Sequence, residues 1–394
     1  MTDYILGINS AYHESAAALI ADGRIIAAVE EERLSGVKHG KAVRVDNADD
    51  LPWGAIGACL AEAGIGWDSL GAVAYSLDPE LRRWHACLGS EGDPYTFGHP
   101  LGEEIFQQSL ARIRSRLPLG KGRNLHFVPH HEAHAWYALG TSDFDGAAVL
   151  IIDGIGEGAS LSLGWGDRSR LHLPRQSLFP ASIGLAWEKV ARFLGLTEYD
   201  ACKVMALAGL SAGGDRGALS DALSFQSGEL VVDQDVFRLE FPDDFSGLEG
   251  RFGSPSDERR AAVADAIQCA TEESLLALAS YLHGRYRLPD LAYGGGVALN
   301  CRANETLARS GLFQRIHAGP ASHDAGTALG AAWWVHAQRF NSPVPRQEPS
   351  QTLFSGPEAA REEVGQPTPV SDWVLLEGPA AIDHALRRLL AGEW

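Results

Sequence analysis

Apolar runs broken by short polar loops recur twice along this chain in the same order. The first runs from Tyr4 to Ile8 and stops at Asn9-Ser10. Ser15 to Ile20 follows, then a turn at Asp22-Gly23, then Arg24 to Val29. The second runs from Ala147 to Ile152 and stops at Asp153-Gly154. It continues through Gly158 to Trp165, a turn near Gly166-Asp167, and Arg170 onward. Each copy reads as strand, polar loop, strand, tight turn, strand, because short apolar runs bounded by Asp-Gly signals form hairpins. The repetition predicts an α/β protein of two similar lobes, 1–146 and 147–340, with a cleft between them.

Past the second copy the apolar spacing becomes helical. Helices are expected over Ile183 to Leu194, over Ser256 to Leu282 with Ser256 or Asp257 as N-cap, and over Gly326 to Phe340. Pro289-Asp290 breaks the long helix, and Leu291-Ala292-Tyr293 reads as a strand running into Gly294-Gly295-Gly296-Val297-Ala298-Leu299-Asn300. Phe313 to Ile316 reads as a further strand. Three glycines between strand and helix permit either a close backbone approach to a ligand or simply a tight turn. Two stretches interrupt the pattern. Residues 78–123 are mixed and polar, and 224–250 suggest strands at Glu229–Val232 and Val236–Phe241. Residues 341–372, rich in Pro, Ser, Glu and Gln, read as a linker, and 373–394 as one short terminal helix.

At 394 residues the chain is long enough for two domains or one duplicated domain. A net charge of −18 argues against a nucleic-acid partner, since a phosphate backbone demands a basic face. The five cysteines (Cys59, Cys87, Cys202, Cys269, Cys301) are scattered and form no CxxC, which points to buried thiols in a reducing cytoplasm. No signal peptide and no membrane span are read in the sequence.

Three segments offer chemistry. His130 and His134 stand four residues apart in a stretch that reads as helix, so both rings leave one face, the spacing used to bind one metal. Asp153 ends an apolar strand, and Asp324 opens an Ala/Gly-rich helix. Each alone is also the ordinary residue of a surface, a turn or a cap. Together, two imidazoles and two carboxylates suit Fe(II), Zn(II) or Mn(II).

In order along the chain, Tyr12-His13-Glu14-Ser15-Ala16-Ala17, Glu30-Glu31-Glu32-Arg33, Lys38-His39, His130 to Ala135, and Asp153-Gly154 with Gly156-Glu157 form a pattern. It continues through Lys203-Val204-Met205, Gly294 to Asn300 and His323 to Ala331. The pattern resembles the O-carbamoyltransferases of antibiotic and nodulation-factor biosynthesis, from Tyr4 to about Phe340. It is also similar to the tRNA threonylcarbamoyl-transfer enzymes. The resemblance implies a duplicated actin-like (RNase H-like) fold and transfer of a carbamoyl group from carbamoyl adenylate, made from ATP and carbamoyl phosphate, to a small-molecule hydroxyl. It implies a divalent metal, Fe(II) first, on His130, His134, Asp153 and Asp324. By the same resemblance His13 is the general base, and Lys38 and Lys203 neutralise phosphate or carbamoyl oxygen. Nucleotide is expected at Gly154, Gly156, Glu157, Lys203, Gly294, Gly295, Gly296 and Asn300. Glu14 replaces the family's usual Asp, and Cys202 and Ala206 replace glycines around Lys203. Family members normally continue into a second domain that forms carbamoyl adenylate; residues 380–394 resemble only its first helix, so a separate activation-domain protein is an expected partner. A tRNA-directed transferase and a non-catalytic nucleotide-binding subunit are the competing readings.

Overall fold

The first repeat folds as three antiparallel strands, β1 (Tyr4–Asn9), β2 (Ala16–Ala21) and β3 (Arg24–Glu30). Asp22 (φ 49°) and Gly23 (φ 81°) join β2 to β3, the two consecutive left-handed residues that a tight hairpin matching strand twist requires. The computed structural model describes residues 2–42, 44–86, 101–120, 124–211, 213 and 216–348. After α1 (Glu31–Ser35) and α2 (Trp53–Glu62), β4 (Leu70–Tyr75) pairs parallel to β1. Helices α3 (Pro79–Ala86) and α4 (Gly102–Arg116) come from the first insertion, and β5 (Asn124–Phe127) pairs parallel to β4. The sheet order is β3-β2-β1-β4-β5.

Helix α5 (His130–Thr141) leads into the second repeat, β6 (Gly146–Ile152), β7 (Ala159–Asp167) and β8 (Leu171–Leu178). Helices α6 (Ile183–Phe193) and α7 (Ala201–Ala208) precede a small hairpin, β9 (Leu223–Gln226) and β10 (Glu229–Val232). Short helices α8 (Gln234–Phe237) and α9 (Ser246–Phe252) then lead to the long α10 (Asp257–Tyr286). β11 (Asp290–Gly294) pairs parallel to β6, α11 (Cys301–Arg309) follows, β12 (Arg315–Ala318) pairs parallel to β11, and α12 (Asp324–Phe340) closes the fold. The second sheet reads β8-β7-β6-β11-β12, the first sheet's order and strand directions repeated. Two such lobes are the duplicated actin-like, RNase H-like architecture that the sequence pattern pointed to.

Packing forms five layers. Ile56 of α2 and Phe106 of α4 cover one face of the first sheet, against Leu6, Ile8 and Val73. Its other face, with Ile5, Ile20 and Ala74, meets Ala328, Leu329 and Trp333 of α12. Ala135, Ala138 and Leu139 of α5 cover Val149 and Ile151 of the second sheet. The outer face of that sheet packs under α6 and α10. Because β6 is covered on both sides, it reads as one unbroken apolar run. The central helices therefore cross the numerical boundary at 146/147: α5 lies on the second sheet and α12 on the first. Glycines allow the close fit. A Cβ on Gly7 would overlap the Ala328 carbonyl, and one on Gly330 the Ala133 carbonyl.

One expected strand is corrected. Val236–Phe241 is not a strand: Gln234–Phe237 form a helical turn, and Arg238 ends it in left-handed backbone at φ 47°. The Asp233 carboxylate accepts the Asp235 N–H at 2.8 Å and starts a helical turn instead. At the far end, residues 342–348 run across the fold. Val344 N donates to Arg168 O (2.7 Å), and Ile25 N to Gln347 Oε1 (3.1 Å). The rest of the expected linker and the terminal helix at 373–394 lie outside the described residues.

Candidate metal centre and active-site cleft

The two repeats place equivalent loops face to face. The loop after β1 holds Tyr12, His13 and Glu14; the loop after β6 holds Asp153 to Gly158. Tyr12 Oη donates to Gly156 O at 2.7 Å and ties one loop to the other. Between them opens a cleft of about 1580 Å³, larger than the ~300–1,000 Å³ of a pocket for one small ligand.

On the cleft floor four side chains converge. His130 is the first residue of α5, with His134 one turn on; Asp153 follows the last residue of β6; Asp324 opens α12, whose N-cap is the His323 side chain. His130 and His134 are 0% exposed, Asp153 7% and Asp324 3%. The two Nε2 atoms are 3.1 Å apart. His130 Nε2 lies 3.3 Å from Asp153 Oδ2 and 3.4 Å from Asp324 Oδ1; His134 Nε2 lies 3.6 and 3.5 Å from the same atoms. Donors bonded to one ion at ~2.0–2.1 Å in a tetrahedral arrangement stand roughly 3.3 Å from one another, so the cluster has the spacing of a ligand set.

Its protonation leads to the same conclusion. His130 Nδ1 faces the Ser76 carbonyl at 3.0 Å. A carbonyl only accepts, so Nδ1 carries the proton and the neutral ring turns a bare Nε2 lone pair toward two carboxylates. That arrangement calls for a cation. Without a metal the cation is a proton: burial alone would lower the His130 pKa, but the Asp324 charge and hydrogen bonds to Asp153 and Asp324 hold it well above its ordinary value. Asp153 and Asp324 are held well below the usual carboxylate range, the imidazoles overcoming the opposing effect of burial. The residues present fit a divalent ion.

Surrounding groups fix these four side chains, as outer partners do at metal sites. Gly296 N donates to Asp153 Oδ1 at 2.9 Å. Glu157, 2% exposed, accepts the backbone N–H groups of His130 and Asp78 on one oxygen, each at 2.8 Å. Arg82, buried in α3, donates to the Glu103 carboxylate, to Tyr12 Oη (3.3 Å) and to Glu157 O (3.2 Å), so the first insertion braces both loops.

The other expected site residues divide. His13, Lys38, Gly154, Lys203, Gly296 and Asn300 line the cleft. Lys38 and Lys203 are well exposed and paired, to Glu32 at 3.4 Å and Asp200 at 2.7 Å. The Asn300 amide is engaged within the protein: Oδ1 accepts from Ala303 N (3.0 Å), and Nδ2 donates to Gln268 (2.9 Å). Gly156 and Glu157 sit in the frame behind the cluster. Gly294 ends β11, and a Cβ on Gly295 (φ 90°) would overlap the Ile152 carbonyl, so this pair lets β11 meet β6. Sequence reasoning missed Glu188 of α6, which faces Gly154 across the cleft wall; burial pushes its carboxyl up to about 7, against the pull of His13. An isolated Glu in an amphipathic helix carries no signal of such a position. It also missed Ser76, which contributes through its backbone carbonyl.

Over residues 4–333 the chain matches the family described as Carbamoyltransferase N-terminus, and it belongs to that family. It is 31% identical over 393 residues to the uncharacterized protein sll1178 of Synechocystis, covering 92% of this chain and 62% of that one. It is 31% identical over 359 residues to nodulation protein NolNO of Sinorhizobium fredii, covering 89% and 50%. The chain thus spans about half to six-tenths of the length of these curated relatives. Among solved structures it is similar to HypF of T. kodakarensis, with TM-score 0.46 and 14% identity over 90% of this chain and 49% of that one. Among the described residues no helix is long and apolar enough to cross a membrane.

Proposed function

We propose that this chain performs the transfer step of an O-carbamoyltransferase, moving a carbamoyl group from carbamoyl adenylate to a hydroxyl of a small metabolite. The observation behind this reading is the buried His130–His134–Asp153–Asp324 cluster at the floor of an interlobe cleft, in a chain of the carbamoyltransferase family. The four side chains would hold a divalent ion, Fe(II), Zn(II) or Mn(II) by donor type, which when bound would polarise the carbamoyl carbonyl or bind nucleotide oxygens.

The remaining work belongs to the chain's own groups. The cleft volume admits a nucleotide and a second reactant side by side. Gly154 and Gly296 present backbone at the wall where the nucleotide would lie, with Lys203 at the rim for its phosphate. The acceptor oxygen attacks the carbamoyl carbon, the bond from that carbon to the phosphate oxygen breaks, and AMP leaves with the electron pair. The hydroxyl proton passes to an imidazole on the cleft wall, His13 on the sequence pattern. Lys38 lines the same cleft and would steady charge at its rim. Only this step is assigned to the described residues.

Incubating the purified chain with synthetic carbamoyl adenylate and a panel of hydroxylated metabolites is the test. Enzyme-dependent AMP release with a carbamoylated product supports the reading; donor hydrolysis no faster than in buffer, with every acceptor unmodified, removes it.

A further inference from the structure

His13 is not the only imidazole beside the cleft, and its neighbour is the better equipped of the two. His39 Nδ1 lies 2.6 Å from Glu14 Oε1, with the two side chains 18% and 17% exposed. An ionised carboxylate only accepts, so Nδ1–H donates and Nε2 is left as the free base of the neutral ring. A carboxylate on Nδ1 fixes both tautomer and ring orientation and stabilises the imidazolium that forms when Nε2 takes a proton. His13 lacks that support: its Nδ1 is buried and has no hydrogen-bond partner.

We propose that His39 is the group that takes the acceptor's hydroxyl proton, with Glu14 as its positioning residue. This rests on the carbamoyl-transfer reading above and goes beyond it in moving the base from His13 to His39.

The pair is not needed to hold the two loops together. Ser15 N already donates to His39 O (3.2 Å), and Glu31 N to Ser15 O (2.9 Å). Its geometry is also not that of two ligands on an ion, since 2.6 Å is a hydrogen-bond length. Both residues take left-handed backbone, Glu14 at φ 55° and His39 at φ 62°, a conformation that side chains other than glycine's rarely hold without a reason. The loop is pinned in that shape from both ends. Asn9 Nδ2 donates to the carbonyls of His13 and Glu14, each at 3.0 Å, and the Glu32 carboxylate accepts His39 N at 2.8 Å. Charged and titratable groups around the ring are Glu14, Glu32 with its partner Lys38, His13 (ring centroids 6.1 Å) and Tyr199 (5.0 Å).

The step balances with water as acceptor. Its oxygen bonds to the carbamoyl carbon, one proton goes to His39 Nε2, the bond to the adenylate phosphate breaks, and AMP departs. Enzyme-dependent AMP release from carbamoyl adenylate, with water as acceptor, is therefore followed across pH for wild type, His39→Gln, Glu14→Gln and His13→Asn. Loss of a general base costs about 10²–10⁴-fold, so His39→Gln should lower kcat on that scale with little change in KM. Glu14→Gln leaves the ring without the anion that orients it, so kcat should fall while KM holds, and His13→Asn should cost less than His39→Gln. A His39→Gln protein within threefold of wild type, or a Glu14→Gln protein as fast as wild type, overturns the assignment. Nitrogen-15 spectra of the labelled full chain test the pair without activity: His39 should carry its neutral-state proton on Nδ1, and Glu14→Gln should shift that resonance. An Nε2–H tautomer in wild type overturns the proposal. Wild type inert toward the donor removes the carbamoyl-transfer reading and the base role resting on it, whatever the tautomer.

Discussion

Replacing Glu157 distinguishes a residue of the frame from a residue of the nucleotide site. One carboxylate oxygen, buried behind the metal cluster, accepts the N–H groups of Asp78 and His130. Alanine would leave both donors without this partner, His130 N buried and Asp78 N partly buried. A buried donor so stranded costs about 1–3 kcal/mol, and the partly buried one adds less. Glutamine keeps an oxygen in place. It gives up charge assistance but escapes the burial penalty that raises the Glu157 carboxyl above its ordinary value, so its net effect is expected within about 1 kcal/mol. The sign with pH follows. A carboxyl whose pKa is raised by folding lends stability at low pH, and that contribution is lost as pH rises through the folded pKa. Glu157→Gln should therefore gain on wild type as pH climbs above 4.5. Because the lost bond starts the helix bearing His130, Glu157→Ala should also weaken metal binding by about 10–100-fold. Denaturant midpoints and metal titrations on the three proteins are the assay. Equal stability of the Ala and Gln variants would refute the frame role, and a selective loss of nucleotide affinity in Glu157→Gln would return the residue to the nucleotide site.

Three further outcomes are expected. Wild type is expected to hold one ion per chain by elemental analysis, and His134→Ala should lose most of it; full occupancy would take His134 out of the site. Metal affinity should rise by more than about tenfold per pH unit while His130 and His134 are still protonated, because each must shed a proton to bind and both pKa values are raised. A Co(II) titration with a flat pH response would contradict this. Gly330→Ala should destabilise by at least about 1–3 kcal/mol, the usual cost of overpacking, since its Cβ meets the Ala133 backbone rather than a movable side chain; an unchanged melting temperature would show that α12 and α5 can separate.

The duplicated meander was legible because Asp22-Gly23 and the apolar runs on either side are local signals, and the strand order then repeats faithfully. The crossing of α5 and α12 to opposite sheets was not, since helical spacing identifies an apolar face but not the sheet that it covers. Residues 236–241 misled because alternation over so short a stretch was overridden by the Asp233 cap and the helical turn that it starts. The four residues of the cluster could be grouped only once the family resemblance joined three separate segments, and the groups that support them could not be read at all. Ser76 acts through a carbonyl, and Glu157 binds backbone 27 residues away. The glycine triplet illustrates the same limit: Gly295 admits β6, and Gly296 N holds Asp153.

The central claim is that the buried cluster serves carbamoyl transfer. It is tested most directly by single-turnover AMP release from carbamoyl adenylate by metal-loaded wild type, the same protein stripped of metal, and the His130→Ala/His134→Ala double variant. The account predicts rapid release only from the loaded wild type, recovery on adding metal back to the stripped protein, and none from the double variant. Equal release from all three, with the double variant folded, would contradict it.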